Sequence, residues 1–212
     1  MRHLEDMRGL YLPGTLDEAS LAPTWLEQVE RWLDEAIAAP LPEANAMVLA
    51  TADARGRPSA RTVLLKVVDE RGFVLYTNLD SRKGHEAREN PWASLVFAWT
   101  PLHRQIVVTG AIEPVPDAEA DAYFASRPRQ SQISAWASQQ SQPVESREFM
   151  DRKFHDMEQK FLNRPVDRPA HWSGFRLVPN RIEFWQADPD RFHDRFRYQM
   201  DGQNWKLTRL FP

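Results

Sequence analysis

Two similar tetrapeptides, Asp53-Ala54-Arg55-Gly56 and Asp69-Glu70-Arg71-Gly72, each separate runs rich in apolar and β-branched residues. An Asp that can bond its own backbone, followed by a glycine free to take positive φ, reverses a chain tightly. The turns therefore predict three consecutive antiparallel strands over 46–53, 59–69 and 73–78. Further strand patterns lie over 93–99, 104–114, 175–178, 181–185, 197–200 and 205–209, with a turn at Asp201-Gly202. About six to eight strands joined mostly by hairpins, with helices inserted between them, predict an antiparallel barrel with peripheral helices. The expected class is mainly β with helices, α+β by content. No βαβ alternation and no Gly-rich phosphate loop is present, so an anionic ligand must be held by side chains.

Helical spacing of Trp25, Leu26, Val29, Trp32, Leu33, Ala36 and Ile37 predicts an amphipathic helix over 22–38 that stops near Pro40. Ser81 caps a short basic helix ending at Asn90-Pro91, and Pro116-Asp117 opens another that Arg127-Pro128 breaks. Residues 130–142 read as a loop or short helix, rich in Ser and Gln yet holding Ile133 and Trp136. Residues 144–163 form a charged helix, and Pro165, Pro169 and Gly174 mark a loop. No repeat or linker divides the chain: 1–20 read as an arm, a possible lid, and 21–212 as one domain.

The 212 residues carry no cysteine, which excludes disulfides, thiolate metal sites and cysteine nucleophiles. A net charge of −3 gives no general footprint for nucleic acid or membrane, so a basic cluster must be a local site. The first residues lack the apolar core of a signal peptide and no apolar run approaches a membrane span; a cytoplasmic protein is expected. The six histidines show no paired ligand spacing, so no metal site is expected.

The informative cluster is Arg61-Thr62-Val63-Leu64-Leu65-Lys66, followed by Tyr76-Thr77 and Ser81-Arg82-Lys83. Cations gathered across a sheet repel unless an anion lies between them, and hydroxyls, a guanidinium and a helix N-terminus are a usual phosphate cradle. Arg61 and Lys66 are five residues apart, so an undistorted strand points them to opposite faces, serving two anions or leaving one as solvated charge. Tyr123 and Arg127 share a helix face with Ser131 just beyond, a second candidate grip. Gln139, Gln140 and Ser141 add uncharged donors. If extended, Arg191, His193 and Arg195 lie on one face, with Asp194 placed to compensate them.

Taken in order, these segments resemble the pyridoxamine (pyridoxine) 5′-phosphate oxidase family over nearly the whole chain from about residue 8. Further matching pieces are Ala46–Thr51, Arg104-Gln105, Ala135–Ser138, 182–186 and the terminal Arg209-Leu210-Phe211-Pro212. The resemblance implies an FMN-binding split β-barrel acting as a homodimer, with FMN at the subunit interface. It implies Arg61, Thr77, Arg82, Lys83, Gln140 and Ser141 at the flavin phosphate and ribityl end, with Thr62, Val63, Leu64, Leu65, Lys66 and Tyr76 lining the same site. Gln105, Trp185 and Arg195 would lie near the flavin ring. Lys66, Tyr123, Arg127 and Ser131 would bind the substrate phosphate; Arg191 and His193 would cover the pyridine ring as the catalytic pair; Arg8 and Tyr11 would contact substrate from the arm.

The implied reaction takes a hydride equivalent from C4′ of pyridoxamine or pyridoxine 5′-phosphate to the flavin. O2 then reoxidises the flavin, giving pyridoxal 5′-phosphate, hydrogen peroxide and, from the amine, ammonia. FMN carries the redox chemistry and the protein supplies anchoring. Whether His193 transfers a proton or positions substrate is left open. The chain departs from the family pattern at Gly9 (usually basic), Ser134 and Ser173 (usually Gly), Ala187-Asp188 and Phe192. Three other readings remain: a phenazine-type oxidase on the same scaffold, a non-catalytic carrier or sensor of FMN or pyridoxal phosphate, and a structural β-barrel that binds no cofactor.

Overall fold

The computed structural model describes residues 16–212. Helix α1 (Trp25–Ala38) begins at a capping box, in which the Thr24 hydroxyl accepts from Glu27 N–H and the Glu27 carboxylate accepts from Thr24 N–H. Its apolar residues, spaced three and four apart, bury Trp25, Val29, Trp32, Leu33 and Ala36. Trp25 stacks on Phe73 at 5.7 Å between centroids, and Trp32 meets Phe184 edge-on at 5.3 Å. The helix thus covers one mouth of the sheet.

The sheet has nine strands: β1 (Ala46–Ala52), β2 (Pro58–Leu64), β3 (Val67–Asp69), β4 (Gly72–Asn78), β5 (Trp92–Trp99), β6 (Arg104–Pro114), β7 (Trp172–Gln186), β8 (Asp194–Asp201) and β9 (Asn204–Arg209). All pairings are antiparallel. The path runs β2-β1-β5-β6-β7-β4-β3, with β8 on β7 and β9 on β8. Both predicted turns form: the Asp53 carboxylate accepts from Arg55 and Arg57 N–H, and Asp69 accepts from Arg71 N–H. Gly72 has φ of +129°, and a Cβ there would run into the Leu177 carbonyl oxygen.

Three strand expectations need correction. The run over 59–69 is two strands, because Leu65 N–H bonds Asn45 O while Lys66 N–H bonds Val74 O. The chain passes from the β1 edge to the β4 edge within two residues. That step joins the two ends of the sheet path and curls it into a barrel. The runs over 175–178 and 181–185 are one long strand, β7, pairing along β6 throughout. Pro179, which cannot donate, stands opposite Gly110 beside a register shift that leaves Asn180 without a partner on β6. One edge of β7 pairs β4 through residues 172–177 and β8 through 181–186, so the barrel is split there. Finally, Arg191 to Arg195 is not extended: Arg191 has φ of +64° in a turn, and β8 starts only at Asp194.

The main core fills the barrel with Phe73, Phe97, Phe184, Phe196, Leu95, Ile106 and Val108. A smaller core of Phe124, Ile133, Phe161, Val166 and Trp172 sits under α3 (Asp117–Ser126), α4 (Arg129–Ala137) and α5 (Arg147–Lys160). The segment over 130–142 therefore begins as a helix, with Ile133 as its buried anchor. Helix α2 (Arg82–Glu89), capped by Ser81, packs beside β1.

Candidate active site

A cleft of about 990 Å³ opens between β2, β4, the start of α2, the end of α3 and α4. Its lining includes Arg61, Lys66, Arg82, Lys83 and Arg127 and no Asp or Glu. In a chain of net charge −3, that is a local concentration of positive charge.

At one end, the β2–β1 register sets Arg61 opposite Leu49, facing α2. Arg61 Nη1 donates to Thr51 Oγ1 at 2.6 Å; its Nη2 bonds Ser59 Oγ and lies 3.3 Å from Glu86 Oε2. Glu86 also accepts from Thr51 and Ser59 at 2.5 Å each and from Arg82 Nε at 2.8 Å. Burial raises the Glu86 carboxyl, but the hydrogen bonds from Ser59, Thr51, Arg82 and Arg61 outweigh it and hold its pKa at about 2. Glu86 was not anticipated; its place four residues after Arg82 on one helix was the available signal.

Lys83 is 8% exposed. Its Nζ donates to Gln140 Oε1 at 2.9 Å, Thr77 Oγ1 at 3.0 Å and Ser81 Oγ at 3.1 Å, all neutral acceptors. Burial, then repulsion from Arg61, lower its pKa to about 8. Asn78 Nδ2 ties the strand to Ser138 O at 3.3 Å, and Ser141 turns with φ of +74°.

At the other end stand Lys66, Tyr123, Arg127 and Ser131. Tyr123 stacks on Tyr76 at 4.0 Å, and Arg127 lies over the Trp172 ring at 4.6 Å. Burial lowers the Arg127 pKa, with Tyr123 opposing, and raises that of Tyr76. Trp172, like Ser134 and Ser138, lines the cleft without having been assigned a place in the site in advance.

Thr62, Val63 and Leu64 line the cleft, whereas Leu65 does not. The Leu65 side chain is buried in the core, and its N–H and C=O are bonded to Asn45. Nor does the cleft include Gln105, Trp185, Arg191, His193 or Arg195. Gln105, Trp185 and Arg195 are cross-strand neighbours on the outer face of β6, β7 and β8. Arg195 pairs with Glu183 at 2.7 Å. The His193 ring lies 4.7 Å from Trp185, and its Nδ1 accepts from Asp188 N–H at 3.1 Å. Asp194 binds Arg209 at 2.7 Å and accepts from Leu16 N–H. Arg8 and Tyr11 lie outside the described residues. No helix among the described residues is long and apolar enough to cross a membrane.

A curled antiparallel sheet, split along β7 and carrying a cation-lined cleft, defines a protein of the FMN-binding split-barrel class. A solved FMN-binding protein from Nostoc punctiforme, related to pyridoxamine 5′-phosphate oxidase, has this fold with TM-score 0.71 and 17% identity, over 91% of this chain and all of that one. Residues 33–161 match the pyridoxamine 5′-phosphate oxidase family, and residues 172–212 match the pyridoxine 5′-phosphate oxidase C-terminal dimerisation region. The chain belongs to the pyridoxamine 5′-phosphate oxidase family. Pyridoxine/pyridoxamine 5′-phosphate oxidases of Cupriavidus necator and Rubrobacter xylanophilus are 49% and 50% identical over all of this chain, covering 100% and 97% of theirs. PhzG from Burkholderia lata, solved with tetrahydrophenazine-1-carboxylic acid, is 33% identical with TM-score 0.89, over 96% of this chain and all of that one.

Proposed function

We propose that this protein is an FMN-dependent oxidase that converts pyridoxamine 5′-phosphate and pyridoxine 5′-phosphate to pyridoxal 5′-phosphate, with O2 as acceptor and hydrogen peroxide as product. The observation that carries the reading is a cleft with five cations and no carboxylate in its lining, divided between two ends. Both ends suit a phosphate. Lys83 is a buried ammonium among neutral oxygens, and Arg127 Nη1 is buried without a partner. Higher identity to the B6 phosphate oxidases than to PhzG favours the B6 substrate over a phenazine precursor.

Arg61, Arg82, Lys83, Thr77, Gln140 and Ser141 would hold the FMN phosphate, and Lys66, Tyr123, Arg127 and Ser131 the substrate phosphate. FMN, when bound, supplies the two-electron acceptor that passes electrons from the substrate carbon to O2. The protein's own part is to fix the reacting carbon by its distant phosphate and to exclude water. Because His193 Nδ1 accepts from Asp188 N–H, the neutral ring carries its proton on Nε2, which suits a donor that orients substrate better than a base.

The outer group, Gln105, Trp185, Arg191, His193 and Arg195, would complete the cleft of a second copy. It continues into rows of small and apolar residues on the same face, with Val48, Val96 and Val107 in one row and Ala50 and Ser94 in the next. Such a face suits a homodimer interface. Residues 1–20 are proposed as a lid over the substrate and 21–212 as one domain; a cytoplasmic setting fits the absence of cysteine. The test is the visible spectrum of the purified protein and an oxygen-electrode assay with both B6 phosphates. A yellow protein that oxidises neither would sink the substrate assignment.

A further inference from the structure

The following rests on the substrate grip proposed above. Helix α3 ends beside Arg127 and carries Asp117, Glu119 and Asp121. Each acid is taken by another arginine. Arg168 meets Asp117 at 2.8 Å and Asp121 at 2.5 Å; Arg176 and Arg71 meet Glu119 at 3.4 and 3.2 Å. Among the described residues, no ion pair reaches Arg127. Aromatic rings hold it instead: its Cζ lies 4.6 Å from the Trp172 centroid and 5.6 Å from that of Phe124. Trp172 is itself fixed, stacked on Tyr76 at 5.4 Å and 4°, while Tyr76 stacks on Tyr123 and Phe124 packs edge-on against Trp172 at 5.0 Å.

We propose that Trp172 is a positioning residue for anion capture, its ring face fixing Arg127 over the cleft without neutralising it. A carboxylate in the same place would have to be displaced by an incoming phosphate, or would share the guanidinium with it. A ring face attracts the cation through its quadrupole and brings no charge to displace. The same stack runs on to Tyr123, so one ring sets two of the groups at the substrate end. The ion pairs of Arg168 and Arg176 hold α3 so that the stack stays in register.

The test replaces Trp172 in the flavin-loaded protein with tryptophan bearing one, two and three ring fluorines, which weaken the ring's negative face at nearly constant shape. Inorganic phosphate is the probe, followed by calorimetry and by competition with pyridoxamine 5′-phosphate. Its affinity is expected to fall stepwise, by about tenfold across the series, with Trp172→Phe intermediate. Flavin content, melting temperature and kcat are expected to stay unchanged while KM rises. An affinity that is flat across the series would overturn the proposal, as would a parallel loss of flavin or of thermal stability. If the protein oxidised no B6 phosphate yet bound phosphate with this fluorine dependence, the substrate assignment would fall and the role of Trp172 would stand.

Discussion

Lys83, buried, and Arg127, half-buried, are both cations without a carboxylate, but they stand at different ends of the cleft and divide the work. Lys83→Ala is expected to lose flavin, whereas Arg127→Ala keeps it and raises KM for the phosphorylated substrate about 30-fold or more, checked by absorbance and steady-state kinetics. The same loss from both variants would contradict two separate sites. Lys83 also predicts a pH dependence. Its pKa in the ligand-free protein is about 8, and a bound anion raises it again. Binding therefore takes up a proton above pH 8, and affinity for FMN falls as pH rises through that value. Titrating apoprotein with FMN from about pH 7 to about pH 9.5 should show this slope, and Lys83→Met should abolish it.

At the scale of elements, α2 is fastened to β1 and β2 through Glu86, which gathers Thr51, Ser59, Arg61 and Arg82. A carboxylate held at about 2, against 4.5 unperturbed, contributes stability that is present above pH 4.5 and lost as pH falls toward 2. Glu86→Gln is expected to cost about 1–3 kcal/mol at neutral pH and to flatten the acid loss, measured by urea unfolding at several pH values. It should also weaken FMN, because Arg61 and Arg82 lose their common anchor. The junction at Leu65-Lys66 acts at the same scale. It closes the barrel and sends Leu65 to the core while Lys66 stays exposed at the cleft.

For the whole molecule, one copy holds a cleft and, on its outer face, a group that the same cleft does not reach. Mixing Lys83→Ala protein with Arg195→Ala protein, each inactive alone, should restore activity if a second copy completes the site. Random re-pairing yields half heterodimers with one intact site of two, so about a quarter of the wild-type rate is expected. No recovery after subunit exchange would mean that each copy builds its own site.

Turns, caps and helix faces were legible in the sequence because their causes are local. Asp53 and Asp69 bond backbone two residues on, Ser81 caps its helix within three residues, and Trp25 to Ala36 face one way by period alone. The ordered run from Arg61 to Arg195 also marked the family and most residues of the cleft. Local patterns along the chain thus set the supply of strands, caps and cations. The tertiary structure decided their sharing: the break at Leu65-Lys66, Glu86 between two arginines, Trp172 under Arg127, and Gln105, Trp185 and Arg195 turned to the outer face. Those depend on strand register and on contacts between residues tens of positions apart, and a side-chain period of two along one strand does not say which strand lies beside it.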